Sequence, residues 1–127
     1  MTESNSLKIL HINTHDRAGG AAKVAWRLME AQQSAGHDAK ILAGIKESGS
    51  AHTSSFPAEA DPALMERCQR EGHLFYEYRG SHKLVKHRLV QSADILHLHN
   101  LHGGYFNPFS LSALSQIKPL IWPLHDM

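Results

Sequence analysis

A chain of 127 residues with 42% hydrophobic and 20% charged residues can bury the core of one domain. A net charge of +1 with histidine neutral creates no global field for nucleic acid, and the single cysteine, Cys68, excludes an internal disulfide and a paired-cysteine zinc site. No apolar run approaches the ~20 residues of a membrane span, and residues 1–6 hold no apolar signal-peptide core, so the composition fits a reducing cytoplasm.

Residues 7–13 (Leu-Lys-Ile-Leu-His-Ile-Asn) read as a strand covered on both faces, because apolar residues outnumber polar ones. A loop follows at 14–20, then a helix over about 21–35. Val24, Leu28 and Ala31 form one stripe along it, and Ala25 and Met29 a second, at i, i+3, i+4 spacing. Gly36 supplies a stop. Residues 39–43 make a second strand, so 7–43 is a β-α-β unit with parallel strands. Residues 44–62, rich in glycine, serine, alanine and proline, read as a long connector.

Asp61 as N-cap and Pro62 at the first helical position start a helix that continues through Leu64, Met65, Cys68, Leu74 and Phe75. A further helix at 81–92 places Leu84, Val85, Leu89 and Val90 on one side and Lys83, Lys86, His87 and Arg88 on the other. Residues 94–98 form a third strand. Asn107 and Pro108 open a helix through Leu111, Leu114 and Ile117. Residues 119–124 form the last strand, and Pro123, which lacks a ladder donor, marks an edge or the strand's end.

This alternation predicts an α/β fold, an open parallel Rossmann-like sheet with helices on both faces. Ligands of such sheets bind outside the carboxyl ends of the strands. Three polar stretches follow predicted strand ends: 13–20, 99–104 and 125–126. They are expected to converge on one rim.

The chemistry on that rim has competing readings. Gly19 and Gly20 open a helix, where backbone N–H groups attract phosphate; a plain tight turn is the alternative. His97 and His99, at i and i+2, share a strand face. His97 is expected to pack, whereas His99 lies at the strand end, within reach of solvent and substrate. There an imidazole can donate to a hydroxyl or oxyanion, or move a proton; a histidine tied to a loop carbonyl competes with that. His97, His99, His102, His125 and Asp126 also allow a zinc-activated water. The 11 histidines are scattered, so chance proximity weighs against this. Arg79, Lys83, Lys86 and Arg88 read as a solvated helix face or as a docking patch for anionic lipid head groups. Trp26 and Trp122 read as core or edge packing.

A set of stretches in order carries a resemblance. They are Lys-Ile-Leu-His-Ile-Asn at 8–13, Ala-Gly-Gly-Ala-Ala at 18–22, Ala-Gly-His-Asp-Ala at 35–39, Asp-Ile-Leu-His-Leu-His-Asn-Leu-His-Gly-Gly-Tyr-Phe-Asn at 94–107, and Lys-Pro-Leu-Ile-Trp-Pro-Leu-His-Asp-Met at 118–127. In these the chain resembles the N-terminal half of family 4 glycosyltransferases, retaining enzymes of the GT-B fold, and looks closest to the bacterial exopolysaccharide (colanic-acid-type) branch. The resemblance implies two Rossmann-like domains facing across a cleft, the N-terminal one holding the acceptor and the C-terminal one the nucleotide-sugar. It implies that Gly19 and Gly20 approach the donor diphosphate, that His99 is the catalytic-site histidine touching the transferred sugar, and that His125 lines the cleft near the acceptor. Asn100, His102, Gly103, Gly104 and Asp126 are expected to complete the substrate-binding rim.

The family's C-terminal domain, with its acidic sugar-nucleotide motif and basic diphosphate clamp, does not follow within these residues. The expectation is therefore the N-terminal part of a nucleotide-sugar-dependent hexosyltransferase of cell-surface polysaccharide synthesis, inactive alone. It would use no cofactor beyond the nucleotide-sugar substrate, serve a glycan or lipid-linked acceptor, and bind no nucleic acid. It would be cytoplasmic, touch the inner membrane face through the basic helix, and self-associate through the face left by the absent domain. Two other classes stay open: a metal-dependent hydrolase built on His97, His99 and His125, and a non-catalytic binding module that kept the sheet.

Overall fold

A computed structural model describes residues 5–56, 62–72, 80–101 and 106–123. Five strands, β1 (Lys8–His15), β2 (Asp38–Ile45), β3 (Thr53–Ser55), β4 (Ile95–Leu98) and β5 (Leu120–Ile121), form one sheet in the order β3-β2-β1-β4-β5. Every pairing is parallel. The helices are α1 (Gly20–Ser34), α2 (Pro62–Glu71), a 3-10 helix (Gly80–Lys86), α3 (Arg88–Ser92) and α4 (Ser110–Ile117).

Strand alternation sorts β1 into two cores. Ile9 joins Ala39, Ile41 and Ala43 of β2 against Ala25 and Met29 of α1. Leu10 and Ile12 point the other way, with Leu42, Leu96 and Leu98, against Leu84 of the 3-10 helix, Leu89 and Val90 of α3, and Leu114 of α4. Helices therefore cover both faces, as the sequence pattern predicts.

The elements differ from the sequence reading in four places. On α1 the buried stripe is Ala22, Ala25 and Met29, whereas Val24 is 41% exposed. The buried stripe continues one turn further through Gln32 and Gln33, whose amides bond His11 and the Ala39 carbonyl. A count of apolar residues alone misses those two contacts. The helix ends as expected: Gly36 takes φ 96°, with Gly36 N–H on the Gln33 carbonyl and His37 N–H on the Gln32 carbonyl.

The connector after β2 contains a strand. β3 is three polar residues with no apolar period, so composition hides it. It is held by side chains: Asp16, at the end of β1, accepts from Glu47 N–H, Ser48 N–H and Ser48 Oγ, and Ser48 Oγ lies 3.1 Å from Thr53 Oγ1. The predicted 81–92 helix is two pieces that break at His87. His87 caps α3, its Nδ1 accepting from Leu89 N–H at 3.1 Å. Burial, with the neighbouring Arg88 charge, lowers the His87 pKa and keeps that lone pair available.

The last strand is only Leu120–Ile121, an edge strand that stops short of Pro123. α2 ends at Glu71, before Gly72 at φ 76°; Asp61, Leu74 and Phe75 lie outside the described residues. No helix among the described residues is long and apolar enough to cross a membrane.

Core position should decide the cost of truncation. Leu98 is fully buried and Ile121 is 51% exposed. Leu98→Ala should cost about 2–5 kcal/mol in urea unfolding, and Ile121→Ala about 0.5 kcal/mol or less; equal losses would contradict this layering.

Candidate functional site

The chain builds β1, β2 and β3 outward in one direction, then returns past β1 to place β4 and β5 on the other side. The order reverses between β1 and β4, and a crevice forms there at the carboxyl ends. Two side chains at the end of β1 hold the segment leaving β4. Asn13 Oδ1 accepts from Asn100 N–H at 2.9 Å, and Thr14 Oγ1 donates to the Asn100 carbonyl at 3.2 Å. The Asn13 amide also donates to the His15 carbonyl at 2.7 Å, which fixes its orientation. On the β5 side, Trp122 donates its indole N–H to the His99 carbonyl at 2.9 Å. Trp122 is thus more than the packing residue expected.

Three imidazoles gather below this rim. His97 and His99 share a face through the two-residue strand period, and His11 joins them because β1 and β4 pair in register His11↔His97. His11 and His99 are 0% and 1% exposed, and His97 is half-buried. Exposure therefore runs opposite to the sequence expectation, in which His97 packs and His99 opens to solvent. The His99 N–H donates to the Ile12 carbonyl at 2.9 Å, which extends the ladder past β4.

The hydrogen bonds assign the protons. His11 Nε2 lies 2.8 Å from Gln32 Oε1, which can only accept, so Nε2 carries the hydrogen. Burial pushes the His11 pKa down to about 4, against the Gln32 bond and helped by His97, so the ring is neutral at pH 7 and Nδ1 holds a lone pair. His99 Nε2, 2.9 Å from that Nδ1, must then donate. The two ring centroids are 5.2 Å apart, so the bonded nitrogens lie close to the line between them and the rings meet edge to edge. His97 stacks on the pair, 4.4 Å from His99 and 4.9 Å from His11.

Beside this cluster the β1–α1 loop is tied to the loop after β2. Glu47 Oε1 accepts from Ala18 N–H and lies 3.3 Å from His15 Nδ1, and Asp16 N–H reaches the Ile45 carbonyl. Gly19 sits at φ 92°, a conformation that favours glycine, and both Gly19 and Gly20 are exposed at the start of the 15-residue α1. A Cβ at either would meet nothing within 4 Å. Arg17 rests its guanidinium 4.7 Å over the ring of Trp26, which is itself partly buried against the core beneath α1.

Of the residues named from sequence, the structure places Gly19, Gly20, His99 and Asn100 at the carboxyl end of the sheet. His102, Gly103, Gly104, His125 and Asp126 lie outside the described residues. So does Arg79, while Lys83, Lys86 and Arg88 are exposed on the 3-10 helix and α3. Sequence reasoning missed His11, Gln32 and Asp16. His11 had a signal: in a sheet whose first strand neighbours the third predicted strand, the two histidine-bearing strands face each other. A scan against protein-family models gives no match, and a search of curated proteins gives none either.

Asp16 provides a pH test. Burial pushes its pKa up, but the Ser48 hydroxyl, the Glu47 and Ser48 N–H groups and the Thr53 hydroxyl outweigh that and hold it below the usual carboxylate range. The folded state therefore binds the proton less tightly than the unfolded one. The stabilisation is complete above the unfolded pKa and disappears as pH falls through the folded one. Asp16→Ala, which orphans two backbone N–H groups, should cost about 2–3 kcal/mol at neutral pH. The gap to wild type in denaturant melts should narrow as the pH falls below the usual carboxylate range; a gap independent of pH would refute the assignment.

Proposed function

We propose that this chain is the N-terminal, acceptor-side part of a nucleotide-sugar-dependent retaining glycosyltransferase acting in cell-surface polysaccharide synthesis. The observation that carries the reading is the reversal of strand order between β1 and β4, with Asn100 clasped by Asn13 and Thr14 at that point. Crevices of this kind take ligands in open parallel sheets. The histidine-rich stretch that resembles the family most begins in β4 and leaves it here.

In this reading the exposed N-terminus of α1 meets the donor diphosphate through its backbone N–H groups. Gly20 leaves room for close approach, and no acidic side chain stands in the first turn to oppose an anion. Asn100, at the switch point, contacts the sugar side. His99 lies directly beside it, with its Nε2 engaged with His11. At 1% exposure the ring is closed off, and a ligand must open the rim to reach it. A donor's second binding wall, a glycan or lipid-linked acceptor, and contact of Lys83, Lys86 and Arg88 with the inner membrane face complete the proposal. The exposed Phe109, Ile117, Ile121 and Trp122, on α4 and the β5 edge, are the apolar surface through which it would associate with itself or with a further domain.

Titrating the isotope-labelled chain with a UDP-hexose and a GDP-hexose tests the reading by amide NMR. Amide shifts should move at residues 13–20 and 97–101, at millimolar ligand, with at least one nucleotide-sugar. Perturbation confined to the amino ends of the strands, or none with either donor, would overturn it.

A further inference from the structure

His11, His97 and His99 form a cluster whose chemistry goes beyond the sugar-binding rim. One ring nitrogen of each lies within 4.8 Å of one from every other, on one face of two adjacent strands. No carboxylate belongs to the group. Three neutral imidazoles suit zinc and its neighbours cobalt, nickel and copper, and do not suit magnesium or calcium, which take oxygen.

The surroundings favour the same use. A metal-binding histidine usually donates its second ring N–H to an acceptor, which sets the tautomer and orients the ring. Gln32 Oε1 does this for His11 Nε2 and leaves Nδ1 pointing into the cluster. Gln32 is itself fixed, because its carbonyl accepts the N–H groups of Ala35 and His37 where α1 ends.

We propose that His11 Nδ1, His99 Nε2 and a ring nitrogen of His97 bind one divalent transition-metal ion, zinc by preference, with Gln32 orienting His11. In the arrangement described, a hydrogen occupies the 2.9 Å between His11 Nδ1 and His99 Nε2. Tetrahedral zinc holds its nitrogen ligands about 3.3–3.4 Å apart, from Zn–N distances of about 2.0–2.1 Å. That pair therefore opens by roughly half an ångström. The hydrogen on His99 Nε2 moves to Nδ1, so the ring stays neutral and no oxidation is involved. His97 turns about its Cβ–Cγ bond, because a bound ion must lie in the plane of each ring and the His97 and His99 planes are only 14° apart at 4.4 Å. His97 is the half-buried member of the three, whereas His11 and His99 are buried. Three protein ligands leave a fourth position for water or a ligand oxygen.

The site does not depend on the glycosyltransferase reading, since metal uptake is measured with no sugar present. The test is zinc, and separately cobalt, added to chelator-stripped protein and followed by elemental analysis after desalting, calorimetry and visible absorption. One equivalent should be retained, with the intense visible bands of tetrahedral cobalt. His97→Phe should abolish the stoichiometric uptake while leaving the melting temperature in chelator close to wild type. Gln32→Met should weaken affinity about 10–100-fold, and His52→Ala, on the exposed turn before β3, should change nothing. Two results overturn the proposal: no retained metal in wild type, or retention unaltered in both His97→Phe and His11→Phe, which would place the ion on other histidines.

Discussion

The parallel pairing of β1 with β4 is the contact on which the rest depends. Its register sets His11 beside His97 and Ile12 beside Leu98. One face of that pairing gives the larger apolar core, and the other gives the imidazole cluster. A register slip of one residue would exchange the faces, burying histidines against Leu84 and Leu114 and exposing leucines beneath α1. Such a slip is strongly opposed, because Leu10, Ile12, Leu96 and Leu98 are all 2% exposed or less.

Polar side chains then lock what apolar packing positions. Asp16 joins the ends of β1 and β2 and, through Ser48, supports a three-residue strand of polar residues in which only Thr53 is buried. Asn13 and Thr14 do the same between β1 and the chain leaving β4. Gln32 does it between α1 and β1. These locks lie on the α1 side or at the carboxyl ends.

The sequence showed the parts that repeat. Apolar runs at strand length, a helix between the first two strands, and the glycine at its end were legible because each follows from local geometry at residues such as Ile12, Met29 and Gly36. What escaped was set by side chains acting across long sequence separations. His11 was one residue of the first strand, and its partner His97 on β4 lies 86 residues later in the chain. Gln32 lay outside both apolar stripes of α1, and Val24, 41% exposed, was counted in one of them. β3 had no apolar signature at all, because Asp16 holds it from another strand. The His97 and His99 exposures were reversed for a related reason: the His99 ring is held inside by His11, from a strand far away in sequence.

Most of the site's logic passes through the single hydrogen bond between His11 and His99, and a double-mutant cycle measures it directly. His11→Phe and His99→Phe each keep a ring and leave the other histidine with a buried nitrogen unpaired, a cost of about 1–3 kcal/mol. The double variant removes both partners and leaves neither orphaned. Measured by urea unfolding in chelator, the double variant should be less destabilised than the sum of the two singles by roughly 1 kcal/mol or more. Strict additivity would mean that the two rings do not share a hydrogen, and would contradict the account of this site.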